Sequence, residues 1–149
     1  MGFGDAIRAV FGKYATFEGR ACRSEFWWFA LFNLLMQIPI GIVDGMLVGG
    51  RGMMDMNQFT PVSTIWGLAV FVPSLAVAVR RLHDTDRSGW WWFLWVIPII
   101  GWIVLFIWYV TEGTRGPNRF GPDPLGGEGG PFTPAGYSPS NIPRVPRDQ

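Results

Sequence analysis

Charge is scarce in this sequence. Only 15% of its 149 residues are charged, whereas soluble domains carry about 25%, and the formal net charge is +1. No basic stripe interleaved with stacking aromatic residues occurs outside the apolar segments, so we expect no nucleic-acid partner. The single cysteine, Cys22, excludes an intramolecular disulfide and offers no zinc-ligand spacing.

The sequence also lacks the short motifs of several common enzyme classes. No G-x-S-x-G, H-E-x-x-H or P-loop pattern is present. We therefore assign no catalytic residue, no metal ligand and no cofactor, and we expect a protein that is not an enzyme.

Three long stretches contain no charged side chain at all: 26–43, 56–79 and 88–111. An α-helix rises ~1.5 Å per residue, so roughly 20 apolar residues cross a ~30 Å hydrocarbon layer. The pattern predicts an all-α membrane protein with transmembrane helices at about 26–43, 61–79 and 90–110. These would form a small left-handed bundle in a membrane domain of residues 20–112. A bundle this small favours a homo-oligomer or a membrane partner protein.

The first 19 residues predict a short amphipathic helix. Phe3, Ile7, Val10, Phe11 and Tyr14 recur at helical spacing and form one apolar face. We expect this helix to lie in the headgroup layer beside the spans. The alternative is a helix whose apolar face packs on another protein.

The chain from Gly113 to Gln149 holds eight Gly and eight Pro. It shows neither helical nor strand periodicity, and it cannot bury enough apolar surface to offset the entropy of ordering. We therefore expect a disordered Gly/Pro-rich tail over 125–149.

Lys and Arg residues near the ends of the predicted spans set the expected orientation. The segment before the first span and the loop before the third carry seven of them, and the other two segments carry three. This bias predicts a cytoplasmic N-terminus. Three spans would then place the tail on the opposite side of the membrane.

The same topology brings many polar residues to one membrane interface. One guanidinium group can donate two hydrogen bonds to the oxygens of a phosphate. These residues therefore predict a site for an anionic lipid headgroup or a partner protein. The residues assigned to this site are Arg20, Arg23, Glu25, Arg80, Arg81, His83, Asp84 and Arg87, with Glu18 and Asp86 nearby.

Two other interpretations of this group remain open. In the first, these residues form salt bridges with one another, and their positive charges hold the helix ends on the cytoplasmic side. Neither role needs a ligand. A membrane enzyme would use His83 as a base oriented by Asp84, although adjacent residues do not face one another on a helix.

A small transporter or channel component is the alternative function. Asn33 and Gln37 share one face of the first span and, with kinks at Pro73 and Pro98, would line a polar path. No charged residue lies within a span, where ion pathways usually need one. The methionine-rich run 53–56 has thioethers that can bind Cu(I), but methionine also fills gaps at the membrane surface, so this pattern is a weak signal for a copper site.

Four segments resemble one bacterial family, the domain of unknown function 805. F-E-G-R-A-C-R-S-E-F-W at 17–27 is similar to its opening motif, and R-R-L-H-D-T-D-R-S-G-W-W at 80–91 to its central one. I-P-I-I-G at 97–101 and G-T-R-G-P-N-R-F-G-P-D-P at 113–124 continue the match. The resemblance covers about 11–124 and implies a multi-pass bacterial inner (plasma) membrane protein of a few helices, with no implied activity.

The last of these motifs implies that residues 113–124 fold back onto the membrane surface. Asn118, Arg119 and Asp123 would then be ordered by hydrogen bonds or an ion pair. A tail that joined Arg81 and His83 would share their side of the membrane, contrary to the three-span orientation, and both arrangements remain open.

Overall fold

The computed structural model describes residues 1–47 and 60–126, and this part of the chain is all-helical, as predicted. Its elements are α1 (Phe3–Gly12), α2 (Arg23–Leu47), α3 (Pro61–Asp84), a 3-10 helix (Gly89–Val96) and α4 (Ile100–Val110). A lone bridge between Asn118 and Gly121 is the only strand-like pairing within those two ranges. The methionine-rich run 53–56 and the tail from residue 127 onward lie outside the described residues.

Helices α2 and α3 are long and apolar enough to cross a membrane. Their 25 and 24 residues correspond to roughly 36 Å each. Large apolar side chains point away from the protein along both, with Leu34 66% and Leu68 72% exposed. This exposure distinguishes the pair from the core helices of a soluble protein, whose apolar faces are covered.

The predicted third span is not one helix. The 3-10 helix and α4 are separated at Ile97–Ile99, where Pro98 has no N–H to donate and Ile99 has a φ of 65°. The prediction of a continuous helix over 90–110 is therefore wrong, because proline also disfavours a helical Ile97. Within the described residues, a third membrane-spanning helix is not confirmed.

The two segments instead run antiparallel as a helical hairpin, which we define as residues 89–110. Trp91 meets Trp108 with ring centroids 5.6 Å apart, and the indole N–H of Trp102 donates to the Trp95 carbonyl at 2.9 Å. A Cβ at Gly101 would lie 1.8 Å from the Leu94 carbonyl oxygen. Glycine therefore permits the close approach of the two segments.

The amphipathic helix α1 forms and ends at Gly12, before residue 19. Its apolar stripe packs on α2: Phe3 lies 5.7 Å from Trp28 and Phe11 lies 5.7 Å from Phe29, measured between ring centroids. Val10 is buried, but Phe3, Phe11 and Tyr14 remain 39%, 38% and 41% exposed, so this chain covers the stripe only in part. Its predicted place in the headgroup layer stays a prediction.

Asp44 links the C-terminal end of α2 to the start of α3. Its carboxylate accepts the backbone N–H groups of Val62 and Ser63 at 2.9 and 2.8 Å. Those two N–H groups belong to the first turn of α3, where no carbonyl within the helix can accept them. Asp44 therefore caps α3 from a neighbouring helix, and its buried position in α2 shows that α2 continues past Val43.

Candidate functional site

Five buried charged residues gather where α2 begins and α3 ends. We call this group the polar cluster: Arg20, Glu25, Arg80, Arg81 and Asp84. Arg80 and Arg81 have no exposed surface. Removing a charge from water costs several kcal/mol, so such residues are stable only when paired and hydrogen-bonded.

Asp84 accepts from two arginines. Arg20 Nε lies 3.0 Å from its Oδ1, and Arg81 NH1 lies 2.5 Å from its Oδ2. The Arg20 bond links the segment before α2 to the end of α3 across 64 positions of sequence. The carboxylate therefore ties together two parts of the chain that lie far apart in sequence.

Glu25 and Arg80 form the second buried pair, with Oε1 and NH1 2.7 Å apart. The Nε and NH2 atoms of Arg80 have no hydrogen-bond partner among the described residues. The polar cluster holds three guanidinium groups and two carboxylates. Its formal net charge is therefore +1.

The chain after α4 returns to the polar cluster. We call residues 111–126 the C-terminal strap. Arg20 NH1 donates to the Gly116 carbonyl at 2.6 Å, and Arg20 also donates to the Thr114 carbonyl. Arg81 donates to the Thr111 carbonyl, and the N–H of Thr114 donates to the Asp84 backbone carbonyl at 2.8 Å. The start of the tail thus lies beside the end of α3, which favours the arrangement in which the two share one side of the membrane.

The residues of the tail motif fold the strap and hold it in place. Asn118 Nδ2 donates to the His83 carbonyl at 2.8 Å, and Arg119 pairs with Asp86 at 3.2 Å. Asp123 accepts the N–H groups of Leu125 at 2.9 Å and Gly116 at 3.0 Å. These bonds favour the charged carboxylate and lower the pKa of Asp123 below its usual value.

His83 is held on two sides. Its Nδ1 lies 3.1 Å from the Gly19 carbonyl oxygen, and its ring stacks on Phe120 with a centroid separation of 3.9 Å. Its ring does not bond to the Asp84 carboxylate, whose oxygens bond to Arg20 and Arg81. The two residues therefore do not form the base-and-orienter pair that the enzyme interpretation requires.

Comparison with known proteins identifies the family. The model of the family "Protein of unknown function (DUF805)" matches residues 14–122. This chain belongs to the DUF805 family. The resemblance seen in its motifs is thereby confirmed.

Two relatives of this DUF805 chain come from Escherichia coli (strain K12). It is 45% identical to the inner membrane protein YhaH over 119 residues, covering 77% of this chain and 92% of YhaH. It is 44% identical to the inner membrane protein YhaI over 116 residues, covering 78% of this chain and 92% of YhaI. No solved structure matches it.

The structure divides the predicted headgroup residues of this DUF805 protein into two sets. Arg23 is exposed and Arg87 is half-buried. Arg23 NH1 reaches the Val110 carbonyl at 3.1 Å, and the Arg87 guanidinium lies 4.6 Å from the Trp108 ring centroid. The buried set consists of Arg20, Glu25, Arg80, Arg81, His83 and Asp84.

Arg23 lines two adjoining pockets. One, of about 230 Å³, is also lined by Ser24 and Arg115 and by the carboxyl side chains of Asp84, Glu112 and Asp123. The other, of about 370 Å³, descends along α2 between Trp27 and Leu31. We call Arg23 and Arg115 the basic rim. Arg115 was not among the residues assigned from the sequence, and the tail motif does not specify the residue at its position.

The amides of the predicted polar path do not meet across helices. Asn33 Nδ2 donates to the Phe29 carbonyl of its own helix at 3.0 Å, and Gln37 is exposed. No group of three potential metal-ligating side chains occurs among residues 1–47 and 60–126. The described geometry therefore brings together neither a transport path nor a metal centre.

Proposed function

We propose that this DUF805 protein is a non-enzymatic module of the bacterial inner membrane that spans it twice and binds anionic lipid headgroups at its cytoplasmic face. The inner-membrane location is inferred from the relatives YhaH and YhaI. The spanning helices are α2 and α3. The binding residues are the basic rim, while the polar cluster holds the strap and hairpin in place.

The hairpin supports the two-span topology. Its 3-10 helix has 8 residues and α4 has 11, and rises of about 2.0 and 1.5 Å per residue make each arm roughly 16 Å long. Neither arm crosses a ~30 Å hydrocarbon layer. Both ends of the hairpin also lie near the end of α3, since a Cβ at Gly89 would touch Val79 and Arg81 bonds to Thr111. The hairpin is therefore a re-entrant element.

Charge supports the orientation. Every Lys and Arg of the described residues lies either before Phe26 or after Val79. With a re-entrant hairpin, these residues all belong to the same side of the membrane. The positive-inside bias then places the N-terminus and the strap together in the cytoplasm.

The observation that supports headgroup binding is the position of Arg23 between the pocket that Arg115 also lines and the apolar pocket along α2. A phosphate between Arg23 and Arg115 meets two guanidinium groups, and an acyl chain fits along Trp27 and Leu31. Arg115 is free to make this contact, because its side chain is 88% exposed and its pairing with Glu112 is long, at 3.4 Å.

Native mass spectrometry of protein released from nanodiscs tests the proposal. The variant Arg23→Ala/Arg115→Ala is expected to retain less phosphatidylglycerol, by about fivefold for each arginine removed. The control Arg144→Ala/Arg147→Ala removes the same charge and is expected to retain the wild-type amount. Equal retention by both double variants would show that the basic rim does not bind this lipid.

A homo-oligomer or a membrane partner protein remains a prediction. The exposed apolar surface of α2 and α3 suits either lipid or another helix. Native mass spectrometry of the same samples separates the two, because a stable oligomer appears as a multiple of the 16.7 kDa chain mass.

A further inference from the structure

An apolar groove of about 450 Å³ lies between α3 and the 3-10 helix. Leu75 and Val79 form one wall, and Trp90, Trp92 and Phe93 form the other. Trp90 is 77% exposed, so the groove opens at the outer surface of the protein. Its volume lies within the range of small-molecule sites. It shares no residue with the basic rim.

His83 and Ser88 form the polar part of this groove. His83 is 9% exposed. A Cβ at Gly89 would lie 3.4 Å from His83 Nε2, which places this nitrogen at the groove lining beside Gly89. No described residue forms a hydrogen bond with Nε2.

The hydrogen bond of the other ring nitrogen sets the chemistry of Nε2. A carbonyl oxygen only accepts, so the contact with Gly19 requires the proton on Nδ1. The Nε2 atom of the neutral ring is then an acceptor directed into the groove. The Ser88 oxygen already accepts from the Trp90 N–H at 3.4 Å, and a hydroxyl oxygen has a second lone pair. This part of the groove therefore complements a hydrogen-bond donor.

The rest of the lining defines the occupant. No arginine, lysine or carboxylate lines the groove, so no charged group is present to bind a phosphate there. Its apolar walls continue into the exposed surface of α3 and the hairpin, which suits an acyl chain. Trp90 and Trp92, whose rings stack on Phe93 and Trp95, line the groove as well, and aromatic rings attract cations. We propose that this groove binds a phospholipid whose headgroup ammonium carries N–H donors, of the phosphatidylethanolamine class.

The proposal rests on the membrane embedding of the hairpin but not on anionic headgroup binding. Phosphatidylethanolamine and phosphatidylcholine provide the test. With matched acyl chains they differ only at the headgroup nitrogen, which carries three N–H donors in the first lipid and three methyl groups in the second. We would reconstitute the full chain in nanodiscs with equal amounts of both and count the retained lipids by native mass spectrometry. One additional hydrogen bond predicts a preference for phosphatidylethanolamine of about fivefold. Equal retention, or a preference for phosphatidylcholine, would overturn the proposal.

Two variants locate the site. Leu75→Trp fills the groove and is expected to remove the preference, whereas Leu68→Trp, on an exposed part of the same helix, is expected to keep it. His83→Phe retains a ring to stack on Phe120 while removing both nitrogens, and it should also abolish the preference. A preference that survives Leu75→Trp would place the lipid elsewhere. The double variant of the basic rim should keep the preference, so the two lipid proposals can fail independently.

Discussion

Gly113 lies directly against the carboxylate of Asp84. A Cβ at this position would be 2.0 Å from Asp84 Oδ2. The same carboxylate accepts from Arg20 and Arg81, so it cannot move aside without losing two buried ion pairs. Because Gly113 has no side chain, the strap can approach the polar cluster this closely.

Gly113→Ala is expected to destabilise the protein by about 1–3 kcal/mol, the usual range for overpacking a filled site. The free energy of unfolding in detergent micelles, titrated with SDS, measures this change. Gly41→Ala is the matched control, because a Cβ built at this position in α2 meets no atom within 4 Å apart from its chain neighbours and the adjoining helix backbone. Equal stability of the two variants would contradict the close packing of the strap on Asp84.

The buried pair of Glu25 and Arg80 predicts strong coupling. Glu25→Leu leaves a buried guanidinium unpaired, and Arg80→Met leaves a buried carboxylate unpaired, so each single variant should lose about 3–5 kcal/mol. The double variant should lose much less than the sum, since it leaves neither charge uncompensated. SDS titration of the four proteins gives the coupling energy.

The exposed pair of Glu112 and Arg115 is the control for this cycle. Its side chains are 59% and 88% exposed, and its nitrogen and oxygen lie 3.4 Å apart. Replacing these residues by Leu and Met, singly and together, should give additive effects. Additive effects at Glu25 and Arg80 as well would show that their ion pair does not contribute to stability.

The bonds to Asp123 predict a pH-dependent strap. Its pKa is lower in the folded protein than its ordinary value of 3.8, so its stabilising effect is full well above pH 3.8. That effect is lost as the pH falls from this value toward the lowered pKa of the folded state. The difference in thermal midpoint between wild type and Asp123→Asn should be constant from pH 5 to 7 and shrink below about pH 4. A difference that grows under acid would contradict the assignment.

Much of this fold could be predicted from the sequence, but the hairpin could not. A charge-free run of span length identifies α2 and α3 because composition and length suffice for a helix in lipid. The same signal at 90–110 is ambiguous, since membrane helices tolerate proline when neighbours satisfy the freed carbonyl. Only the structure shows that the helix breaks at Pro98, through the positive φ of Ile99 and the contact of Gly101 with Leu94.

The polar cluster shows a second limit of sequence reasoning. The charged residues around 20–25 and 80–87 could be assigned to one interface from topology alone. The ion-pair partner of each residue could not be predicted, because the bond between Arg20 and Asp84 depends on how the helices pack. The strap was harder still, since Arg20 and Arg81 bond to its backbone carbonyls. Every residue has a backbone carbonyl, so the sequence does not indicate which one accepts a hydrogen bond.

The proposed topology makes a prediction about sidedness. Single cysteines at Thr16, Gly50, Thr85 and Ser138, each in a Cys22→Ser background, would be labelled with a membrane-impermeant maleimide in intact and in permeabilised cells. With two spans and a re-entrant hairpin, the cysteines at 16, 85 and 138 should react only after permeabilisation, and the cysteine at 50 should react in intact cells. Labelling of Ser138→Cys in intact cells, with positions 16 and 85 still protected, would show that the tail is outside, as three spans require. Labelling of position 16 or 85 in intact cells would show instead that the whole orientation is inverted.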